Sequence, residues 1–597
     1  MQQENSTNKL NTKYVFIVGG VMSGVGKGIA TASLANIFKY NKGLKVSAMK
    51  IDPYINVDAG TMNPVEHGEV FVLADGDECD QDMGNYERFL DQELSRDNYM
   101  TTGRVYKSVI ENERSLKYEG KCVQVVPHIP LEVISRIESV AKKDNSDIVF
   151  IEIGGTVGEY ENLLFLEAVR LMKYKNPSDV AVVMVSYFPM PFDGGEIKTK
   201  PTQHAVRALN AAGINPDIIM ARSKLKLDKI RKEKVAMFCN IEAEAVISAP
   251  DVNNIYEIVE NFEKDNVSQI LIEKLKISSM LKASKGKSDL INKKEKTTLV
   301  INPIITLSKK INKLKAQNYI SDNIKIGVIG KYFDSGEFVI SDSYISVIEA
   351  IKYSAYKQNK NPIIEWISAE DFEGTNKIST KNNLAKLKNY DAIIVPGGFG
   401  SRGVEGIINS IRYIRENKIP FLGICYGMQL AVIEYARNIL NLPDANTTEV
   451  NNKTKNPVID IQDSQVDKLN SGDMGNSMRL GDYACNINKN SLAYKNYKSE
   501  KAVERHRHRY EVNNNYVEML EKSGLIISGK SDTGLVEIIE LSQDLKNKNN
   551  KDSIHPYFVG IQSHPEFLAR PGSTHPLFDG LIKAGILNST KVWVKKG

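Results

Sequence analysis

The sequence is poor in cysteine, and its five cysteines show no spacing typical of a metal site. Cys79, Cys122, Cys239, Cys425 and Cys485 include no C-x-x-C pair, which argues against structural zinc and favours a reducing compartment. There is no run of about 18 apolar residues, so no membrane span is predicted. The first thirteen residues are polar and lack the pattern of a signal peptide. We therefore predict a cytoplasmic protein with no membrane partner.

A large excess of charge of either sign is also missing. The chain has 78 Lys and Arg against 73 Asp and Glu, a formal net charge of +5 over 597 residues. This balance does not favour a nucleic-acid partner. The hydrophobic share of 42% and the charged share of 25% are those of a globular protein. A single core is not expected at this length, so two or more domains are predicted.

Apolar runs alternate with helical patterns in both halves, which predicts two α/β domains with doubly wound parallel sheets. The predicted strands are 14–18, 45–50, 147–153, 180–186 and 217–221 in the first half, and 324–329, 363–367, 392–395, 421–424 and 558–562 in the second. We assign 1–12 to a disordered tail, 13–277 to the first domain, 278–322 to a Lys/Asn-rich linker with one docked segment near 299–307, and 323–590 to the second domain. Residues 444–476, rich in Asn and Lys, are predicted to be a surface loop region.

One cysteine stands between an apolar strand and a helix in residues 419–430, IPFLGICYGMQL. Gly423 and Gly427 suit the sharp turn of a nucleophile elbow, where a Cβ would crowd the strand or the helix. The helix directs N–H groups and its positive dipole end toward the sulfur, which favours the thiolate. Cys425 is therefore predicted to be a nucleophile, and a buried structural cysteine is the alternative.

A histidine and a carboxylate follow another apolar strand, in FVGIQSHPEF at 558–567. His564 and Glu566 have the side chains that complete a Cys-His-Glu triad with Cys425. A triad of this composition predicts hydrolysis of an amide.

A glycine-rich loop, GGVMSGVGKG at 19–28, follows the first predicted strand and precedes a helical stretch at 29–40. Its backbone N–H groups and the helix N-terminus would cradle a polyphosphate, with Lys27 beside the transferred phosphoryl group. The loop departs from G-x-x-x-x-G-K-[ST], because Val21 replaces the first glycine and Gly28 replaces the hydroxyl residue. A metal would need ligands elsewhere, and a purely structural glycine turn is the alternative.

Charged side chains outside the loop extend this predicted phosphate site. Glu152 ends an apolar strand and, with Asp75, is a predicted Mg²⁺ ligand, although Asp75 and Gly76 could simply form a turn. The segment GGEIKTKPTQH at 194–204 holds Lys198 and Lys200 ahead of a helix. It predicts a second anion site, with a solvated basic loop as the alternative.

Together these segments closely resemble the CTP synthase family. The resemblance runs from about Lys13 to about Ala584 and includes MKIDPYINVDAGTM (49–62), HGEVFV (67–72), GGTVGE (154–159), KTKPTQH (198–204), PGGFGSRGVEG (396–406), LGICYGMQ (422–429) and ERHRHRYEVNN (504–514). It implies a P-loop-like synthetase domain followed by a class I glutamine amidotransferase domain. It also implies that ammonia from L-glutamine is added to carbon 4 of UTP after ATP phosphorylates the uracil oxygen.

The resemblance implies roles for residues of the first half. ATP would be bound by Gly24, Val25, Gly26, Lys27, Gly28, Ile29 and Asp75, with Pro250, Asp251 and Val252 as the adenine clamp. UTP, or CTP as inhibitor, would be bound by Ser23, Glu159, Tyr160, Glu161, Lys198, Thr199, Lys200, Pro201, Thr202, Gln203 and Lys234. Asp75 and Glu152 resemble the Mg²⁺ ligands, and Lys50 resembles a further cation near the transferred phosphoryl group.

For the second half, the resemblance implies that Cys425, His564 and Glu566 are catalytic and that glutamine is bound by Gly398, Tyr426, Gly427, Met428, Gln429, Glu449 and Arg509. Gly398 and Tyr426 would supply the two oxyanion N–H groups. Arg402 and Gly403 fall in the segment that resembles the lid through which GTP activates the enzyme. The family also implies a passage for ammonia between domains, inhibition by CTP, a homotetramer and filaments.

Two segments depart from the family pattern. Residues 158–162 read GEYEN where bacterial members have GDIES, in the part that contacts the cytidine ring, so the resemblance supports inhibition by CTP less than it supports catalysis. Tyr426 is a leucine in many members, and only its backbone is assigned a role.

Two other kinds of protein share some of these features. A glutaminase fused to a different P-loop ligase, such as a cobyrinate-type amidase, would have the elbow and the phosphate loop but not KTKPTQH or DPYINVD. A non-catalytic filament or scaffold protein would not need an intact Cys425, His564, Glu566 and Lys27.

Overall fold

The computed structural model describes residues 12–63, 67–192, 195–278, 280–281, 301–317, 322–331, 334–335, 338–339, 341–374, 377–462, 465, 475, 477–543 and 555–594. Most of the predicted tail and residues 282–300 of the predicted linker lie outside these ranges. The chain divides into two compact units, Met1–Asp58 with Asp82–Lys309, and Ala59–Gln81 with Lys310–Gly597. The domain boundaries proposed from the sequence stay predictions. The compact units differ from them in that residues 59–81 belong to the second unit.

Strands and helices alternate along most of the chain. The strands are β1 (Lys13–Gly20), β2 (Val46–Asp52), β3 (Val70–Val72), β4 (Glu78–Asp80), β5 (Tyr99–Thr101), β6 (Ile148–Ile153), β7 (Val180–Tyr187), β8 (Ile218–Ser223), β9 (Val246–Pro250), β10 (Asn323–Gly330), β11 (Asp334–Ser335), β12 (Phe338–Val339), β13 (Asn361–Ser368), β14 (Ala392–Val395), β15 (Phe421–Ile424), β16 (Ala445–Thr447), β17 (Asn456–Ile461), β18 (Arg479–Ile487), β19 (Lys501–His508), β20 (Tyr510–Val512), β21 (Leu525–Ser531), β22 (Val536–Leu541) and β23 (Phe558–Ile561).

The α-helices are named by their bounds. They are Lys27–Asn36, Gln81–Leu90, Thr102–Arg114, Val125–Lys143, Leu163–Lys175, Lys200–Ala211, Lys229–Cys239, Glu257–Lys264, Val267–Lys274, Pro303–Gln317, Ile345–Lys357, Lys377–Lys386, Val404–Glu416, Tyr426–Asn438, Leu492–Tyr497, Asn514–Ser523 and Pro576–Val594.

The first unit is built on a seven-stranded parallel sheet in the order β5-β2-β6-β1-β7-β8-β9. Nearly every residue of β1, β2, β6 and β7 is buried, as expected when helices cover both faces of a parallel sheet. All five strands predicted in this half are confirmed, and β5 and β9 are additional. The glycine-rich loop leaves the carboxyl end of β1, which is paired with β6 and β7, and this is the edge at which ligands bind in open α/β sheets.

The second unit has a nine-stranded sheet in the order β13-β10-β14-β15-β23-β22-β21-β18-β19. The first five strands are parallel and were all predicted. The other four are antiparallel and were missed. Buried and half-exposed residues alternate along β18, so this strand lacks the continuous apolar run on which the parallel strands were recognised.

Two segments have more structure than the sequence suggested. The predicted surface loop region at 444–476 contains β16 and β17, which pair with each other and, through β17, with β20, so that prediction is wrong in part. The docked segment predicted within the linker is the helix Pro303–Gln317, which buries Ile304, Leu307, Ile311 and Leu314. In the part of the chain described by the structure, no helix is both long and apolar enough to cross a membrane.

Candidate active sites

Cys425 lies on a strained turn between β15 and the helix Tyr426–Asn438. Its backbone has φ 48° and ψ −101°, a conformation that a non-glycine residue adopts only when the surrounding structure enforces it. A Cβ on Gly427 would lie 2.2 Å from the carbonyl oxygen of Val395, and a Cβ on Gly423 would lie 2.8 Å from the Gly427 carbonyl group. Strand and helix meet as closely as the sequence predicted for a nucleophile elbow.

The partners of Cys425 come from the strand next to it. The Cys425 N–H donates to the carbonyl oxygen of Ile561 at the end of β23 (2.7 Å), which brings the segment 562–566 beside the thiol. Gln562 Nε2 donates to Cys425 Sγ at 3.7 Å. Nδ1 of His564 and Oε1 of Glu566 are hydrogen-bonded at 2.8 Å. The three predicted catalytic residues therefore lie around one buried thiol.

The charge state of His564 follows from its two neighbours. Burial would lower the pKa of His564, but the Glu566 carboxylate and the Cys425 sulfur together raise it to about 10. Nε2 of His564 is buried and forms no hydrogen bond within the usual limits of distance and angle among the described residues. An imidazolium next to a sulfur is arranged to stabilise a thiolate and to hold a proton for a leaving group.

A cavity of about 530 Å³ opens above this triad within the second unit. It is lined by five of the predicted glutamine-binding residues, Gly398, Tyr426, Gln429, Glu449 and Arg509. The other two do not reach it, because Met428 is fully buried in the core and Gly427 packs against Val395. Lining residues for which the sequence predicted no role include Gly60, Thr61, Met62, Glu69, Val70, Tyr344, Arg507, His508 and Tyr510. All of these except Tyr344 lie in segments that carry the family resemblance.

The polar groups of the cavity suit a zwitterionic amino acid. Gln429 donates through Nε2 to the carbonyl oxygen of Tyr510 (2.8 Å), and its buried Oε1 has no partner among the described residues. That oxygen can accept a hydrogen bond from an ammonium group. Arg509 offers a guanidinium at the same cavity, which suits a carboxylate. Burial raises the pKa of Glu449, which accepts a hydrogen bond from the Gly400 N–H.

In the first unit, the predicted phosphate loop is wound around a buried lysine. Gly24 and Gly26 have φ of 70° and 86°, which glycine adopts without strain. Lys27 Nζ donates to the carbonyl oxygen of Gly155 at 2.9 Å, and burial lowers the pKa of Lys27, with Lys50 adding to this effect and Glu152 opposing it. A Cβ on Gly28 would lie 1.8 Å from Oδ1 of Asp82, which explains why a hydroxyl residue is absent at this position.

Carboxylates surround Lys50 near this loop. Lys50 Nζ lies 2.5 Å from Asp82 Oδ2 and 3.1 Å from Glu152 Oε1, and the Tyr86 hydroxyl donates to the other Glu152 oxygen. Burial raises the pKa of Glu152 although Lys50 opposes this. Burial would raise the pKa of the Asp82 carboxyl, but the charge and hydrogen bond of Lys50, together with Asn85 and Lys27, lower it.

These carboxylates are the donors that Mg²⁺ prefers, so Glu152 fits a role as one ligand. The described residues contain no group of three or more His, Cys, Asp or Glu arranged to hold a metal ion. Asp75, the other predicted ligand, belongs to the second unit, where its Oδ1 accepts from the Asp77 N–H at 3.3 Å. The contacts within the first unit thus do not bring the two predicted ligands together.

A second cavity, of about 250 Å³, adjoins the phosphate loop. Gly26, Ile29, Pro250, Asp251 and Val252 line it together with apolar residues such as Phe262, so part of the predicted ATP site converges here. Arg222 was not predicted, yet it also lines the cavity and donates to the carbonyl oxygens of Ala249 (2.8 Å) and Pro250 (3.1 Å) and to Asp251 (2.9 Å). Its position near the carboxyl end of β8 is the signal that could have identified it.

The predicted pyrimidine-nucleotide residues lie largely at the surface. Ser23, Lys198, Lys200 and Lys234 are exposed, and Lys198 pairs with Glu196 at 3.0 Å. The Thr202 and Ser186 hydroxyls are hydrogen-bonded at 2.7 Å, and Gln203 donates to Thr199 at 3.1 Å. Glu159 accepts from Thr156, and Tyr160 is 88% exposed. Gly194, at the start of the predicted anion segment, lies outside the described residues.

Comparisons with known proteins match the chain along nearly its whole length. The family model CTP synthase N-terminus matches residues 13–277, and Glutamine amidotransferase class-I matches residues 339–584. CTP synthase from Clostridium kluyveri is 45% identical over 98% of this chain and 100% of its own length. CTP synthase from Methanococcus aeolicus is 44% identical over 96% of this chain and 99% of its own. The solved Trypanosoma brucei CTPS glutaminase domain with bound acivicin is 35% identical, with a TM-score of 0.39 over 44% of this chain and 93% of that domain.

Proposed function

Because the chain belongs to the CTP synthase family and is a glutamine-hydrolysing ligase, we propose that Cys425, His564 and Glu566 release ammonia from L-glutamine for the ATP-dependent amination of UTP at carbon 4. The observation that carries the proposal is the buried thiol on a strained elbow beside the His564–Glu566 pair, at the base of a cavity with groups for an amino acid. A scaffold protein without catalytic activity would not need a buried thiol beside a His–Glu pair.

The glutaminase reaction follows from the positions of these side chains. The Cys425 thiolate attacks the side-chain amide carbon, and the backbone N–H groups of Gly398 and Tyr426 would stabilise the oxyanion. His564 gives its proton to the departing ammonia and then takes a proton from the water that hydrolyses the thioester. Glu566 holds Nδ1 of His564 and stabilises the imidazolium.

In the first unit, Lys27 and Lys50 would stabilise the phosphates of ATP while the uracil oxygen is phosphorylated, and ammonia would then displace phosphate at carbon 4. Gly24, Val25, Gly26, Gly28 and Ile29 would hold the ATP phosphates, and Pro250, Asp251 and Val252, with Arg222, would hold the adenine. Mg²⁺ bound by Glu152, with Asp75 as the second proposed ligand, would neutralise charge on the phosphates.

Further proposals rest on the family resemblance. Ammonia would travel to UTP without contact with bulk water, since at neutral pH it would otherwise become ammonium and lose its nucleophilicity. GTP would activate glutamine hydrolysis through the segment that contains Arg402 and Gly403, and CTP would inhibit the enzyme. The enzyme would be a cytoplasmic homotetramer capable of forming filaments. The exposed Lys198, Lys200 and Lys234 suit the triphosphate of UTP or CTP.

The test is CTP formation from UTP and ATP with Mg²⁺, measured with L-glutamine and separately with an ammonium salt. Cys425→Ala should abolish the glutamine-dependent reaction and leave the ammonia-dependent reaction intact, because only the first needs the thiolate. Cys485→Ala, which alters another buried cysteine of the same unit, should leave both the glutamine-dependent and the ammonia-dependent reaction unchanged. No CTP from either nitrogen source with the unaltered protein would contradict the proposed function.

A further inference from the structure

The loop that carries Gly398 is anchored by three side chains at a single residue, Gly400. The carbonyl oxygen of Gly400 accepts hydrogen bonds from Lys331 Nζ (2.6 Å) and from the Tyr426 hydroxyl (2.9 Å). The N–H of Gly400 donates to Glu449 Oε1 (2.7 Å). Both polar groups of this residue are therefore held, two positions after the proposed oxyanion donor.

Lys331 is placed for this contact by the fold. It directly follows β10 and is only 7% exposed. Its ammonium lies 4.3 Å from the centroid of the Tyr426 ring and also reaches the carbonyl oxygen of Phe399 (3.4 Å). A ring face and two carbonyl oxygens replace the water that a buried ammonium loses.

Tyr426 links the nucleophile to the loop. It is the residue after Cys425, it begins the helix at the elbow, and its side chain is buried. Its backbone adjoins the thiol, while its hydroxyl reaches the Gly400 carbonyl oxygen. A leucine at this position, as in many members of the family, would supply neither a hydroxyl nor a ring face for Lys331.

We propose that Lys331 and the Tyr426 side chain are positioning residues that lock the loop 396–400 onto the nucleophile elbow and so keep the Gly398 N–H aimed at the developing oxyanion. The inference rests on the proposed hydrolysis of glutamine at Cys425. Oxyanion stabilisation depends on donors that are fixed before the reaction begins, and a loop rich in glycine would otherwise sample many conformations.

The anchor also has a pH dependence. Burial lowers the pKa of Lys331 to about 8, although Glu449 and Glu373 oppose this. The charged or titratable groups facing it among the described residues are these two carboxylates and the Tyr426 phenol. Above about pH 8 the amine loses its charge, its interaction with the ring disappears, and its hydrogen bond to Gly400 weakens.

The experiment compares Tyr426→Phe, which removes only the hydroxyl, with Lys331→Met, which removes the ammonium and keeps an apolar chain. Glutamine hydrolysis is measured as kcat and KM from pH 6.5 to 9.5, with ammonia-dependent CTP formation and Tm alongside. Each variant should lower kcat about fivefold to tenfold, as expected for one lost hydrogen bond, with little change in KM. In the unaltered enzyme, kcat for glutamine hydrolysis should fall as the pH rises, with a midpoint near pH 8. This fall should be absent in Lys331→Met.

Tyr435→Phe is the matched control, since Tyr435 lies on the same helix and its hydroxyl donates to the Ser523 carbonyl oxygen at 2.9 Å. It removes a comparable buried hydrogen bond away from the loop, so kcat should not change. Unchanged kcat in Tyr426→Phe and in Lys331→Met, with Cys425→Ala inactive on glutamine, would overturn the inference and leave the proposed function standing. Glutamine hydrolysis that survives in Cys425→Ala would overturn the proposed function itself.

Discussion

At the level of single residues, the reactivity of the second unit depends on one backbone angle and one carboxylate. The positive φ of Cys425 turns its thiol out of the sheet and toward His564, a conformation maintained by close packing at Gly423 and Gly427. Glu566, together with the Cys425 sulfur, raises the pKa of His564 against the effect of burial. Local strain and a buried ion pair would together produce the proposed nucleophile.

The role of Glu566 predicts a shift in pH dependence. Glu566→Gln removes one of the two groups that raise the pKa of His564, so that only the Cys425 sulfur still opposes the lowering effect of burial. The imidazolium is then lost at lower pH, so the alkaline loss of glutamine hydrolysis that His564 causes near pH 10, above the Lys331 step near pH 8, should move to lower pH and kcat should fall. The measurement is kcat for glutaminase activity against pH.

The ion pair of Glu566 with His564 also contributes to the stability of the fold. The pKa of His564 is raised above its value of about 6.5 in an unfolded chain, so the pair stabilises the fold fully below that pH, and the contribution is lost as pH rises toward about 10. Glu504→Gln is the control, because Glu504 pairs with His575 at 3.0 Å outside the cavity. Glu504→Gln should leave the dependence of glutaminase kcat on pH unchanged. An unshifted kcat profile in Glu566→Gln would contradict the role given to Glu566.

At the level of elements, a buried ion pair joins the helix Val404–Glu416 to the helix of the elbow. Arg415 donates to both carboxylate oxygens of Glu434, at 2.9 Å and 2.7 Å, and both side chains are almost fully buried. The first helix begins just after the proposed lid segment, and the second carries the residues next to Cys425. The pair therefore joins the helices that follow two segments with proposed functions.

Arg415→Met should destabilise the protein by about 3–5 kcal/mol, because Glu434 would keep a buried charge without its partner. The control, Arg412→Met, breaks an exposed pair on the same helix, Arg412 with Glu416 at 2.8 Å, which should cost about 0–1 kcal/mol. Chemical denaturation of both variants provides the measurement. Equal losses in the two variants would show that the buried pair has no special role.

At the level of the whole molecule, the Cys425 elbow and the predicted phosphate loop lie in different compact units, whose limits differ from those of the sequence families. Residues 59–81 fall inside the matched synthetase region but belong to the second unit. There Glu69 accepts from the Ser346 N–H (3.2 Å), Glu78 accepts from Arg507 Nε (2.8 Å), and Phe71 packs on Phe567. Part of the wall of the cavity above Cys425, which is proposed to bind glutamine, is thus supplied by the first half of the sequence.

This separation predicts that a change at Lys27 has the opposite effect to Cys425→Ala. Lys27→Met should lower CTP formation from both nitrogen sources by roughly 10²-fold or more, by analogy with the loss of one preorganised charge-stabilising donor. It should spare basal glutamine hydrolysis, because Lys27 belongs to the first unit. Assays of CTP and of glutamate provide the two readouts.

Lys42→Met is the matched control for Lys27→Met, since Lys42 only pairs with Glu263 at 3.1 Å in the same unit. It should leave both activities unchanged. Normal CTP formation in Lys27→Met would remove Lys27 from the proposed phosphate site.

The sequence by itself determined the parallel strands, the elbow and the phosphate loop, because each is encoded locally. Apolar runs mark strands buried on both faces, and glycines at 423, 427, 24 and 26 mark places where the backbone must approach closely or take a positive φ. The same local signals predicted Cys425, His564 and Glu566 as catalytic residues. The antiparallel strands of the second sheet were not predicted, because strands such as β18 alternate buried and half-exposed residues and lack such apolar runs.

Only the tertiary structure decided which distant residues share a site. It grouped residues 59–81 with the second unit, brought Arg222 and Tyr510 to cavities, and set Lys331 against Tyr426 and Gly400. Met428, by contrast, was turned into the core although Tyr426 and Gln429 on the same helix line the cavity. The physical reason is that helix phase and strand order, which follow from packing of the whole chain, decide where a side chain points.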